Sequence, residues 1–246
     1  MRFDVLTLFP EFFDGPLRCS VLGRALSSGI LTVALWNLRE FTSDKHGKVD
    51  DTPYGGGPGM ILSAEPFLAA VRALRPAVGT PVVLFTPQGE PLTQRRVTEL
   101  ATMSRAVLLC GHYEGVDERV RQTVVTEELS VGDYVLSGGE PAALALIDAV
   151  ARLQPGALGN EASSEEESFS LGLLEYPQYT RPAEIAGLHV PDVLRRGHHA
   201  EVHRWRRREA LRRTYLRRPE LLARVELTKE DRLLLTEVVR ELSERT

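Results

Sequence analysis

Three glycine-containing loops hold the residues whose types and spacing point most directly to chemistry. Residues 87–89 (PQG) and 111–115 (GHYEG) each follow an apolar run, and residues 130–140 (SVGDYVLSGGE) precede an apolar helical pattern. Backbone N–H and C=O groups of such loops could recognise the edge of an adenine ring, while Glu114 could accept hydrogen bonds from ribose hydroxyls or offset a sulfonium charge. One such loop would be an ordinary turn between a strand and a helix, but three together indicate a nucleoside site.

A further glycine-rich stretch, residues 50–60 (DDTPYGGGPGM), lies in a loop that we expect to span residues 39–62. It lacks the Gly-Lys-Ser/Thr ending of a P-loop and the spacing of a dinucleotide-binding fingerprint. Two interpretations remain open. The stretch is either a tight irregular turn whose glycines adopt positive φ, or a shaped wall against a flat ligand or a backbone.

A strongly basic segment follows later in the chain, because residues 195–218 contain ten arginines and two glutamates. Such a balance favours phosphate contacts, and arginine suits bidentate phosphate binding and stacking on bases. The alternative is a solvated helix face. Trp205 and Tyr215 lie among the arginines, and Trp205 is more typical of core packing. His199 and His203 have helical spacing, but no further ligand completes a metal set.

The elements that must position these residues follow from hydrophobic periodicity. Apolar runs predict strands at residues 2–9, 30–38, 81–86 and 106–110, with a short strand end at 134–136. Helical spacing predicts helices at 16–28, 63–75 (with Ser63 as its N-cap), 93–102, 117–125 and 140–153. Alternating strands and helices predict an α/β fold with a mostly parallel sheet covered on both faces. Ligands of such sheets bind outside the carboxyl ends of the strands, where the three loops lie.

Composition limits the class of protein. The chain has 246 residues, a net charge of −4 and two cysteines, Cys19 and Cys110, which do not form a disulfide framework. No run of 18 apolar residues occurs, so no membrane association is expected, and Asp4 within the first apolar stretch argues against a signal peptide. We therefore expect a reduced, cytoplasmic setting.

The character of the sequence changes after residue 153. Residues 155–180 contain five acids and no Lys or Arg, and helical patterns follow, one of them beginning near Thr228. We expect three segments: an α/β domain at residues 1–158, a flexible acidic linker at 159–172, and a small all-helical basic domain at 173–246.

Several long segments resemble one family. Residues 41–60, 108–120, 130–153, 173–182 and 198–222 are similar to bacterial tRNA (guanine-N1)-methyltransferases, and the match runs nearly from end to end. The resemblance implies a deep trefoil knot of the SPOUT type near residues 84–140 and a homodimer whose active sites use both chains. It also implies methylation of N1 of guanine at tRNA position 37, when preceded by guanine, with S-adenosylmethionine as donor and Mg²⁺ as an aid.

The resemblance also assigns roles to individual positions. Arg152 and Glu167 match the catalytic pair, although the family commonly has Asp where this chain has Glu167 and places its proline one residue after Pro141. The implied substrate contacts are His46, Asp50, Pro58, Arg181, His198, Arg204 and Arg208. The implied cofactor contacts are Phe85, Gly111, Tyr113, Glu114, Ser130, Val131, Gly132, Tyr134, Leu136, Gly138 and Gly139. No metal ligand is assigned.

The residues themselves leave alternatives. Without the resemblance, Arg152 is more typical of a charge at a helix end, and Glu167 of one acid in a solvated acidic run. The chain could then be an RNA-binding protein that has lost catalysis, or a knotted methyltransferase that acts at another RNA position. Retention of three intact glycine-rich loops favours an enzyme.

Overall fold

The structure is a computed structural model that describes residues 1–159 and 167–244. It divides into two compact units, Met1–Gly159 and Asn160–Thr246. Half of the predicted acidic linker, residues 160–166, lies outside the described residues. Within the described ranges, no helix is both long and apolar enough to cross a membrane.

The first unit is built on a parallel sheet, as predicted. Its strands are β1 (Arg2–Thr7), β2 (Thr32–Asn37), the two-residue β3 (Asp50–Asp51) and β4 (Ile61–Leu62), β5 (Val82–Pro91), β6 (Arg105–Leu109) and β7 (Glu127–Ser130). Five of them form one sheet in the order β2-β1-β6-β5-β7, in which every neighbouring pair is parallel. The short β3 and β4 pair separately as an antiparallel ribbon inside the predicted loop 39–62.

The helices of the first unit match the predicted helical segments with shifted ends. They are α1 (Ser20–Ser27), α2 (Ala64–Leu74), α3 (Gln94–Ala101), α4 (Glu118–Thr123) and α5 (Glu140–Ala151). Thr93 and Asp117 cap α3 and α4 by accepting backbone N–H groups with their side chains. The single helix predicted at 16–28 is wrong, because the chain forms a 3₁₀ turn at Pro16–Arg18 and then becomes extended at Cys19.

Two hydrophobic clusters cover the two faces of the sheet. Alternate residues of β5 point to opposite faces, so that Val83 and Phe85 join one cluster while Val82 and Leu84 join the other. The first cluster contains side chains from α1, α3 and α5, and the second contains side chains from α2 and α4. Burial of both faces explains why the strands appear as continuous apolar runs rather than as alternating patterns.

The edge of the sheet differs from the prediction. No strand forms at residues 134–136, which are a bend and coil, and the edge strand is instead β7 at Glu127–Ser130. Its first two residues are acidic, so a search for apolar runs overlooks it. The pairing of Glu127 with Arg96 and of Glu128 with Arg121 makes these acids compatible with the sheet.

The second unit is mainly helical, with α6 (Asp192–Arg195), α7 (His199–Arg217), α8 (Pro219–Leu222) and α9 (Lys229–Ser243). The prediction of an all-helical region is wrong at one place, where β8 (Glu184–Ile185) and β9 (Leu188–His189) form an antiparallel ribbon. Ala186 and Gly187 both have positive φ, the conformation that a two-residue hairpin turn requires. The described part of this unit has a small core, in which Leu173, Ala210, Leu211 and Leu234 form one buried cluster.

Candidate functional site

One cavity lies at the carboxyl ends of β6 and β7 and beside the middle of β5. Its volume is about 290 Å³, and its walls are formed mainly by residues 84–88 within β5 and by the loops that follow β6 and β7. All eleven residues predicted as cofactor contacts line it: Phe85, Gly111, Tyr113, Glu114, Ser130, Val131, Gly132, Tyr134, Leu136, Gly138 and Gly139. The structure therefore brings together positions that are spread over 55 residues of sequence (85 to 139, inclusive).

Close backbone contacts hold two of these loops against each other. The N–H of Gly139 donates to the carbonyl oxygen of Gly111 at 2.9 Å. A Cβ on Gly139 would lie 2.8 Å from Cα of Cys110, and one on Gly138 would lie 2.5 Å from Nδ1 of His112. Side chains are thus excluded at both glycines, which leaves the backbone itself as the surface that faces a ligand.

Aromatic side chains supply flat surfaces around the cavity. Phe85 is buried at the end of the regular part of β5, whereas Tyr113 and Tyr134 are 48% and 57% exposed. The ring of Tyr134 covers Gly132, whose φ of +153° is unfavourable for other residues. Flat apolar walls beside exposed backbone polar groups are the surroundings that a purine nucleoside needs.

A buried polar network underlies the cavity, and sequence analysis did not identify it. Thr7 donates from its hydroxyl to Oε1 of Glu140 at 2.7 Å, although the two residues are 133 positions apart. Glu140 is only 3% exposed, and its Oε2 lies 4.0 Å from Nδ1 of His112, which lines the cavity. In the sequence, the one feature that pointed to this network was the acid Glu140 at the start of an otherwise apolar helix. Burial is the main cause that raises the pKa of the Cys110 thiol. The negative charge of nearby Glu140 raises it further.

The early glycine-rich stretch lies against the cavity wall. The N–H of Glu114 donates to the carbonyl of Met60 at 3.1 Å, and Gly59 packs directly on the Glu114 side chain. Gly55, Gly56, Gly57 and Gly59 all have positive φ, which confirms the interpretation of residues 50–60 as a tight irregular turn. None of these residues lines the cavity itself, so their role as a wall against a ligand stays a prediction. The predicted contacts His46, Asp50 and Pro58 are outside the cavity lining, with His46 in an exposed turn and Asp50 in β3.

In the second unit, the basic helix α7 is partly neutralised. Arg204 pairs with Glu237 at 3.3 Å and Arg207 with Asp231 at 2.6 Å, and Arg208 pairs with Glu209 and Glu241. Three of these four acids, Asp231, Glu237 and Glu241, lie on α9 and therefore outside residues 195–218. Acids outside residues 195–218 therefore neutralise part of the excess positive charge of that segment, and Arg204 and Arg208 bind carboxylates in this structure.

Other parts of the basic segment remain at the surface. Arg217 and His198 of this segment are exposed, as is Arg181, which precedes the segment in the chain. The guanidinium of Arg206 lies over the ring of Tyr176 at 4.8 Å, a cation–π arrangement. Trp205 is half-buried and its ring lies 6.3 Å from that of Tyr179, so it is neither a fully buried core residue nor a free stacking platform.

Comparison with known proteins identifies the family. The family described as tRNA (Guanine-1)-methyltransferase TrmD matches residues 1–224. The chain belongs to this family. Among similar proteins, the tRNA (guanine-N(1)-)-methyltransferase of Moorella thermoacetica is 55% identical over 249 residues and covers 100% of both chains. That of Chloroflexus aurantiacus is 57% identical, over 97% of this chain and 96% of its own.

The two residues predicted as the catalytic pair, Arg152 and Glu167, lie in different units. Arg152 ends α5, where its N–H donates to the carbonyl of Asp148 at 3.2 Å. Glu167 begins the described part of the second unit and lines a small cavity of about 70 Å³ together with Tyr176, Arg206 and Arg207. Each side chain is half-buried.

Among residues 1–159 and 167–244, no three His, Cys, Asp or Glu side chains converge on a point where they could hold an ion. The described residues do not fit a resident Mg²⁺, and we assign no step of the reaction to one.

Proposed function

We propose that this chain transfers a methyl group from S-adenosylmethionine to N1 of guanine at tRNA position 37, when another guanine precedes it. The observation that supports this most strongly is the convergence of eleven family-matched positions around one cavity. The relatives at 55% and 57% identity are named for methylation of guanine N1 in tRNA. Their end-to-end similarity supports the same reaction here.

The cavity suits the proposed methyl donor. Gly138 and Gly139 let the cavity loop pack closely against residues 110–112, and Phe85 and Tyr113 offer flat surfaces to an adenine ring. Glu114 accepts hydrogen bonds from the ribose hydroxyls or offsets the positive charge of the sulfonium. When bound, S-adenosylmethionine supplies a methyl group on a sulfonium centre. We further propose that the chain passes through a trefoil knot near residues 84–140, as the family resemblance implies.

Two side chains perform the proton chemistry in this proposal. Guanine N1 carries a proton at neutral pH, and Glu167 removes it as the methyl group arrives. A glutamate in water has a pKa of about 4.3 and is a weak base, so bound tRNA must enclose this carboxylate. Arg152 stabilises the negative charge that spreads to O6 of the base. Glu167 has one methylene more than the family's usual Asp, and the backbone that carries it must compensate for this length.

The proposed partners follow from the same family. The exposed arginines of α7 and Arg181 contact phosphates of the anticodon stem and loop, together with His198. The protein works as a cytoplasmic homodimer whose active sites use both chains. Residues 1–158 bind the cofactor and residues 173–246 bind tRNA, with the acidic linker at 159–172 between them.

The test uses radiolabelled S-adenosylmethionine and two tRNA transcripts, one with guanine at position 37 and one with that guanine replaced. We expect label in the first transcript only. Label in both would place the reaction at another RNA position. Absence of label in both, at saturating cofactor and tRNA, would favour an RNA-binding protein that has lost catalysis. Glu167→Asp would then be the first variant to test for recovery of activity.

A further inference from the structure

Part of the cavity wall is not held by the sheet. The ladder between β5 and β7 is regular up to Phe85, which pairs with Leu129, and the next β5 partner of the same Leu129 is Glu90. The four residues between them, 86–89, therefore bulge out of the ladder. Thr86, Pro87 and Gln88 of this bulge line the cavity. Their position must be fixed by contacts other than strand pairing.

Arg121 of α4 supplies these contacts. Its Nη1 donates to Oε1 of Gln88 at 2.7 Å and to Oε2 of Glu128 at 2.6 Å, and its Nη2 donates to Oγ1 of Thr86 at 3.4 Å. Nε lies 3.6 Å from a carboxylate oxygen of Glu118. The side chain is only 16% exposed and itself lines the cavity. One guanidinium thus joins both polar side chains of the bulge to the neighbouring strand β7.

We propose that Arg121 is a positioning residue that holds residues 86–89 in the shape needed to bind S-adenosylmethionine. The inference rests on the proposed function, because it assigns that cofactor to the cavity. The planar guanidinium presents several donors in fixed directions and reaches Thr86, Gln88 and Glu128 together, which the single ammonium of lysine does not. Glu128 anchors the guanidinium because a charge-assisted hydrogen bond is stronger than a neutral one.

The experiment measures binding of S-adenosylmethionine by calorimetry with the full-length chain. Arg121→Met should raise the dissociation constant about tenfold, the effect of losing a hydrogen bond to a charged group, and Arg121→Lys about threefold. At saturating cofactor and tRNA, kcat should stay within about twofold, since a positioning effect of this kind acts on binding. The matched control is Arg119→Met in the same helix, because Arg119 is 69% exposed and its carboxylate partner, Asp117, lies outside the cavity.

A double-mutant cycle separates positioning from general loss of stability. Gln88→Ala should weaken cofactor binding in the wild-type background and have almost no further effect in Arg121→Met, because the bridge is already lost. If Arg121→Met does not fold, Glu128→Gln takes the place of Arg121→Met in the cycle, because it removes the carboxylate that anchors the Arg121 guanidinium. Additive effects, or unchanged affinity in Arg121→Met, would overturn the inference. A wild-type chain that does not bind S-adenosylmethionine would instead contradict the proposed function.

Discussion

The cavity of the first unit and the basic helix of the second unit use charge in opposite ways. Around the cavity, backbone groups form much of the surface, and the charged side chains beneath it, Glu140 and Arg121, are largely buried and held by specific partners. On α7, charge is abundant, half-exposed or exposed, and shared with acids of α9. Under the proposed function, geometry would govern cofactor recognition in the first unit, whereas long-range and salt-sensitive attraction would govern tRNA recognition in the second.

The largest expected effect would show that the second unit contributes more than attraction. Glu167→Gln should lower the single-turnover methylation rate by about a thousandfold, because a positioned general base contributes roughly 10²–10⁴ to the rate. The affinity for tRNA, measured by fluorescence anisotropy, should stay within about twofold, since the substitution keeps the shape of the side chain. Near-normal rates in this variant would remove Glu167 from the mechanism.

Gly139→Ala tests whether geometry governs the cavity. The added methyl group would lie 2.8 Å from Cα of Cys110, a backbone atom that cannot rotate away. We expect the affinity for S-adenosylmethionine, measured by calorimetry, to fall on the order of 100-fold, consistent with about 1–3 kcal/mol for overpacking. Gly15→Ala is the control, because Gly15 has a negative φ and no atom within 4 Å of its added Cβ. Equal binding by both variants would contradict the close-contact argument.

A buried carboxylate in the second unit tests whether its charges also stabilise the fold. Hydrogen bonds from Arg207 lower the pKa of Asp231 to about 2, against the opposing effect of burial. Because the folded pKa is depressed, the stabilisation is present above about pH 4 and is lost as the pH falls through about 2. Asp231→Asn should lower the free energy of unfolding at pH 7 by about 2 kcal/mol.

The measurement for Asp231→Asn is urea unfolding at pH 7 and pH 3, followed by circular dichroism. Part of the difference between wild type and variant should disappear at pH 3. Glu230→Gln, one residue away on the exposed side of α9, should change stability by at most about 0.5 kcal/mol at either pH. A similar loss in both variants would mean that the ion pair with Arg207 is not the cause.

The smallest expected effects concern the paired arginines of α7. Glu237→Gln removes the partner of Arg204, so the affinity for tRNA should rise about two- to threefold at low salt, whereas Arg204→Gln should lower it by a similar factor. Binding of S-adenosylmethionine should change in neither variant. The logarithm of tRNA affinity should fall linearly with the logarithm of salt concentration, and a flat dependence would contradict phosphate binding by α7.

Local pattern was sufficient to predict much of the first unit. Apolar runs indicated strands β1, β2, β5 and β6, since a strand buried on both faces has no polar alternation. The edge strand β7 was missed because its acids are balanced by Arg96 and Arg121, residues 31 and 7 positions away. The helix expected at 16–28 was too long because an extended residue at Cys19 interrupts an otherwise continuous helical pattern.

The sequence by itself determined an α/β fold in which the loop after β6 lies at the carboxyl ends of parallel strands, where ligands bind. The other two glycine-rich loops join it because residues 87–89 lie in a bulge within β5 and residues 130–140 follow β7, and neither feature was predicted. Only the tertiary structure decided which side chains pair across long separations. Thr7 reaches Glu140 over 133 positions, Arg121 reaches Gln88 over 33, and Arg204 reaches Glu237 over 33. Backbone propensity and hydrophobic periodicity act over a few residues, whereas these pairs form only where packed elements bring distant side chains within hydrogen-bonding distance.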